Sequence, residues 1–322
     1  MKIMNDKIVA VYFAYNRPDK VILTLPTLLS HNFKKIYIFT DGPKNKLDVN
    51  LIKETIKNIE TLTKNKKKII KTYYKKNLGL KKNFFKSLNY VFKREKKAII
   101  IEDDCLISNS FVNFCSKLLD TYQNDKKVWS ISGFNAIDHK TKKYSKKIFF
   151  SKYFMVWGWA TWADRWFEFD QKASFWKKWK NSREFGNLFN SKYEFEYWVK
   201  IFDQVLSNKI ITWDYFIQLH FFKNHKYSII PKTNMVKNLG LDKSATNTKD
   251  YNIYLDKKTP ENQRVKNLKK ITKINNNNQF DKLIFNIVHH GERLYADNFF
   301  KLIIYYLFNS KRIFFKYLNK LN

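Results

Sequence analysis

The first half of the chain alternates short β-branched runs with longer segments of helical period, and few folds accept that alternation. A strand, a helix and a second strand in succession make a βαβ unit, whose strands lie parallel. Lys7 to Tyr15 reads as the first strand and Pro18 to Ser30 as the helix after it. Lys35 to Thr40 reads as the second strand, stopped by Asp41-Gly42-Pro43, and Asp48 to Thr63 carries helical periodicity. Lys68 to Tyr74 is a third strand, Asn83 to Lys93 a helix, and Ala98 to Ile101 a short apolar strand. In an open sheet of this kind ligands bind outside the carboxyl ends of the strands. Residues just after each strand are therefore the ones to inspect.

The second half is organised differently. From about Phe149 to Asp170 it is unusually aromatic, with Trp157, Gly158, Trp159, Trp162 and Trp166 close together. A charged stretch of helical pattern follows to about Asn208. Ile210 to Asp214 starts another element, and Tyr227 to Pro231 is a last strand candidate. The polar run Asn275 to Asn278 reads as a linker, and a basic amphipathic helical tail is expected from about Phe280 to the end.

The composition excludes some classes. With 44% hydrophobic residues, 18% aromatics, 7 Gly and 5 Pro, the chain can bury a core and is not a disordered one. Its formal charge of +34 attracts anions. Only seven of the 62 basic residues are Arg, which argues against base-edge and phosphate recognition by bidentate guanidinium groups, and so against nucleic acid. Cys105 and Cys115 have neither metal-ligand spacing nor a disulfide framework. No stretch reaches the roughly 20 apolar residues of a spanning helix, so a cytoplasmic or peripheral protein is expected.

The sharpest local feature is Glu102-Asp103-Asp104, directly after an apolar strand. Three adjacent carboxylates repel one another, and a hard divalent cation offsets that repulsion. Mg²⁺ or Mn²⁺ held by one or two carboxylates and by substrate phosphates is the usual arrangement. The competing reading is a solvated turn, or a cap for the helix starting near Ser108. The other strand ends weigh against it: Tyr15-Asn16-Arg17-Pro18, Thr40-Asp41-Gly42 and Asn77-Leu78-Gly79 are polar too. Arg17 and Asp41 could bind ribose, base or phosphate there, and Gly79 would let the backbone approach a ligand.

In this order the motifs resemble GT-A glycosyltransferases, in particular the group related to N-acetylglucosaminyltransferase I and its bacterial polysaccharide-synthesis relatives. The resemblance runs from about Ile8 to Thr248. It rests on Ala14-Tyr15-Asn16-Arg17, Thr40-Asp41, Glu102-Asp103-Asp104, Val128 to Asn135, Trp157-Gly158-Trp159 and Trp213-Asp214. It implies that Arg17 and Asp41 touch the nucleotide, that Glu102 and Asp103 lie near ribose and sugar, that Asp104 ligates the metal, and that Asp214 is the catalytic base. It implies further a UDP-sugar donor, a glycan or lipid-linked glycan acceptor, and inverting transfer in capsule or lipopolysaccharide synthesis.

Expected, then, is an α/β GT-A domain over residues 1–272, with a mixed sheet flanked by helices. Its nucleotide-binding half is about 1–135 and its acceptor-binding half about 136–272; a linker and basic helical tail occupy 273–322. Trp157 and Trp159 flank a glycine, which suits a mobile lid that stacks on sugar. Trp213 would wall the base. Trp162, Trp166, Trp176 and Trp179 fit core packing instead. The segment Asn234 to Thr248, with Asn238, Gly240 and Asn247, resembles a loop that closes over the site. The tail, with Lys311, Arg312, Lys316 and Lys320 after an apolar run, could lie on an anionic membrane on the inner face of the plasma membrane. Two rivals are a sugar nucleotidyltransferase, which expects a Gly-rich loop after the first strand, and a basic nucleic-acid-binding protein, which leaves the acidic cluster without a purpose.

Overall fold

The computed structural model describes residues 8–189, 191–240, 260–263, 265, 268–275 and 277–289. Strands β1 (Val9–Ala14), β2 (Lys35–Thr40), β3 (Ile69–Tyr73) and β4 (Lys97–Glu102) alternate with helices α1 (Pro18–Leu29), α2 (Lys46–Thr63) and α3 (Leu80–Phe92). The four strands run parallel in the order β3-β2-β1-β4. β1 is covered on both faces, so its sequence is a continuous apolar run. α1 opens on Pro18, where no backbone donor is required. α2 starts at Lys46, two residues before its expected start, because the Asn45 side chain accepts the Asp48 amide. α3 starts three residues early because Gly79, at φ +79°, turns the chain straight into it.

The rest of the chain widens the sheet to eight strands. It supplies β5 (Cys105–Ile107), α4 (Phe111–Thr121), β6 (Val128–Ser132), α5 (Asp138–Thr141), β7 (Ile148–Ser151) and β8 (Trp159–Trp162). Then come α6 (Ala163–Glu168), α7 (Trp176–Trp179), α8 (Arg183–Gly186), α9 (Lys192–Leu206), α10 (Asp214–Lys223), β9 (Tyr227–Pro231), β10 (Val236–Asn238) and α11 (Asn278–Val288). The full order is β3-β2-β1-β4-β8-β6-β9-β7, mixed parallel and antiparallel, as the expected α/β class requires. β8 runs antiparallel to both β4 and β6, so its first residues come to the edge where β4 ends. β10 and β5 form a separate antiparallel pair.

One finding corrects the lid reading. Trp159 is the first residue of β8, 1% exposed, and stacks at 5.9 Å on Trp129 and at 6.1 Å on Trp213. A strand hydrogen-bonded on both sides cannot swing as a lid. Trp157 is half-buried, with its ring edge-on to Phe134 at 4.5 Å. Trp213, 3% exposed, stacks on Phe84 at 3.7 Å. With Phe84 on Phe13 at 4.8 Å and Phe13 on Phe39 at 5.8 Å, the rings form a continuous aromatic row from β2 to β6. Offset aromatic pairs contribute beyond their buried area, and this row joins the first half of the chain to the second.

α11 packs on the same body. The Asn277 side chain caps it by accepting the amides of Gln279 and Phe280. Phe280, Ile284 and Phe285 are buried, and the buried Asp281 accepts the Ser151 hydroxyl at 2.6 Å. The basic run from Phe299 to Lys320 lies outside the described residues, as does Asn247. Among the described residues no helix is long and apolar enough to cross a membrane. Both cysteines are buried and free.

Candidate functional site

The parallel strands deliver Arg17, Asp41 and Glu102-Asp103-Asp104 to one edge of the sheet, and they do different things there. Asp104 is half-buried and accepts Arg17 Nη1 at 2.7 Å; the same nitrogen lies 3.7 Å from Asp103. Asp103 is 6% exposed and turned inward, where it accepts the Tyr15 amide at 2.9 Å. It braces the exit of β1 against β4. Glu102, half-buried, ends β4.

Asp41 is engaged within the fold. It is 4% exposed, and its two oxygens accept the amides of Gly42, Leu78 and Gly79 and the Asn77 side chain. A carboxylate so occupied ties the end of β2 to the loop before α3. Gly79 serves the same loop. Nothing lies within 4 Å of where its Cβ would stand, so glycine is required there by the left-handed backbone and not by close approach.

Asp214, more than a hundred residues beyond the cluster in sequence, opens α10 at the same edge. Its carboxylate accepts the Thr212 hydroxyl and, at 2.9 Å, the Tyr215 amide. The charges of Asp214, Asp103 and Asp104 all reach Glu102. Burial, reinforced by those neighbours and opposed by Arg17, pushes Glu102 well above the carboxylate range. Burial followed by Asp104 pushes Asp103 up to about 7, again against Arg17. Burial also raises Asp214, with the Thr212 hydroxyl and Tyr215 amide pulling the other way. Glu102, Asp103 and Asp104 thus share the Arg17 guanidinium, with the charge of Asp214 adding to theirs at Glu102, a crowding of carboxylates that a cation would relieve.

The segment after β10 covers this cluster. The Leu239 amide donates to the Asp104 carbonyl at 2.7 Å, and a Cβ on Gly240 would stand 2.4 Å from Asp104 Oδ2 and 3.2 Å from Arg17 Nη1. A side chain at 240 would push against the Arg17–Asp104 pair. Asn238, 7% exposed, accepts the Gly240 amide at 2.6 Å and shapes that cover. Thr212 was missed by sequence reasoning, although a hydroxyl two residues before a carboxylate is a recurrent local motif.

Comparison with known proteins bears on these residues. The model of the GNT-I family matches residues 40–187, a span that contains Glu102-Asp103-Asp104 and the tryptophan-rich strand. The chain is a glycosyltransferase, similar over those residues to the GNT-I family. Among solved structures, it is similar to a mannosyltransferase from Pyrobaculum calidifontis in complex with GDP-Man and Mn²⁺, at 10% identity and a TM-score of 0.35. That match covers 48% of this glycosyltransferase and 44% of the other chain, so it spans less than half the length of that neighbour. No curated protein matches the sequence.

Proposed function

We propose that this glycosyltransferase moves a sugar, with inversion, from a nucleotide-sugar donor of the UDP class onto a hydroxyl of a glycan or lipid-linked glycan in surface polysaccharide synthesis. The observation that carries the reading is the meeting of Asp214 with Glu102-Asp103-Asp104 at the carboxyl edge of the sheet, where the charges of Asp214, Asp103 and Asp104 all bear on Glu102. Asp214 and Arg17 lie outside the span of the family match, so their roles rest on geometry.

A divalent cation fits this cluster on its charge. Among the described residues no three acidic, imidazole or thiol groups form a closed ligand set. A cation there would be held by Asp104 and completed by donor phosphates, as Mg²⁺ and Mn²⁺ commonly are. When bound, it would stabilise the charge on the departing diphosphate. Arg17 orients the Asp104 carboxylate and is placed to meet donor phosphate. Asp214 takes the proton of the acceptor hydroxyl as that oxygen bonds to the sugar carbon and the bond to phosphate breaks. Burial makes it a stronger base than an exposed aspartate. Trp213, locked in the aromatic row, holds the backbone at Asp214 in place without itself facing the sugar.

A screen of UDP- and GDP-sugars for Mn²⁺-dependent hydrolysis identifies the donor. With that donor, Asp104→Asn should abolish Mn²⁺-dependent binding in calorimetry while the melting temperature holds; unchanged affinity refutes the assignment. Asp214→Asn keeps the helix contacts but cannot take a proton. It should lose at least about a hundredfold in kcat with donor affinity intact, and a near-normal rate would move the base elsewhere.

A further inference from the structure

The base does not stand alone on its helix. Tyr215 follows Asp214 on α10, and its ring packs edge-on against Trp198 of α9 at 6.0 Å. Trp198, fully buried, in turn packs edge-on against His289 at 4.8 Å, at the end of α11. Tyr197, beside Trp198 on α9, places its hydroxyl 3.1 Å from His289 Nδ1, and its ring lies 5.4 Å from Phe285. Tyr197 packs edge-on against the same Trp198 at 5.2 Å, so both tyrosines meet on one indole, and both feel the charge of Asp214. Two neighbouring helices, α9 and α10, and the sequence-distant α11 therefore meet behind one carboxylate. Its other anchors are local ones, Thr212 and the Tyr215 amide.

We propose that Tyr197 is a positioning residue for Asp214: anchored through its hydroxyl on His289 of the C-terminal helix, it holds Trp198 against Tyr215 and so fixes the first turn of α10. The inference rests on Asp214 being the base. Chemically the requirement is strict, since a base displaced by about 1 Å from the acceptor hydroxyl can lose about a hundredfold in rate. α11 is thereby part of the catalytic apparatus, although it lies far beyond the residues that touch donor. Phe in place of Tyr197 keeps the ring against Phe285 and removes only the hydroxyl, so a fold held by packing alone would not notice the change.

The test uses the full chain with the donor found in the screen, water serving as acceptor, and hydrogen exchange at the amides of residues 214–218. Tyr197→Phe should lower kcat about tenfold or more with donor KM and melting temperature unchanged, and should speed exchange at those amides. His289→Leu should do the same, and the double variant should be no worse than either single. In an Asp214→Asn background Tyr197→Phe should have no further effect on the residual rate, because it acts through Asp214. A wild-type rate for Tyr197→Phe beside an inactive Asp214→Asn overturns the inference and leaves the base standing. A raised KM with unchanged kcat overturns it too, since Tyr197 would then be a binding contact. An active Asp214→Asn overturns the reading of the base itself, whereas unchanged exchange at residues 214–218 overturns the anchoring.

Discussion

Glu102, Asp103 and Asp214 hold their protons more tightly in the fold than an unfolded chain would. Between the ordinary carboxylate range near pH 4 and about 7 for Asp103, the folded state therefore binds more protons than the unfolded one. Stability from this source is greatest at the acid end and falls as pH rises through the window. His31, His139 and His220, lowered by burial, work in the opposite sense, so the clean measure is a difference between proteins. In chelator, Asp103→Asn should gain melting temperature relative to the parent as pH goes from about 5 to about 8. Added Mn²⁺ should shrink that gain, and a constant difference would mean that the charge excess is not felt. Glu102-Asp103-Asp104 was legible because the three are contiguous after an apolar run. That Asp103 turns inward was not, because it depends on which strand pairs with β4. The partners of Asp41 and Trp213 were not legible for the same reason: polarity and aromaticity are visible in a sequence, whereas the groups that meet them are not.

At the scale of elements, β2 falls on its expected residues because one apolar run between two clear breaks leaves no choice of register. The charged stretch from about Asp170 to Asn208, expected to be helical, folds as three separate helices, α7, α8 and α9. The breaks are chemical: Ala173 has φ +51°, and the Ser182 and Ser191 side chains cap new helices by accepting the amides of Phe185 and Glu194. β8 was missed as a strand because all four of its residues are buried and its tryptophans suggest binding. The tie between β2 and α3 makes its own prediction. Gly79→Ala puts a side chain at φ +79°, a conformation costing about 1–2 kcal/mol. Urea denaturation should show a loss of that size; no loss would mean that the loop relaxes and that Asp41 gives up the Gly79 amide.

For the whole molecule, the expected boundary at 272 separates a tail from a body, and α11 places three apolar side chains across that boundary. Phe285 is fully buried, so Phe285→Ala should cost about 3–5 kcal/mol in urea denaturation. A loss under about 1 kcal/mol, the scale of surface changes, would show that α11 docks only loosely. The strand order carries a consequence in time. During synthesis β1 to β4 can pair as soon as they emerge, but the outer edge of β4 waits for residues 159–162, and β6 waits for residues 227–229. An unpaired, apolar strand edge invites pairing with another chain, and contacts this distant in sequence form slowly. A nascent chain halted between Glu102 and Trp159 would hold a finished half-sheet with one sticky side, and ribosome pauses in that interval are where aggregation or chaperone capture should concentrate.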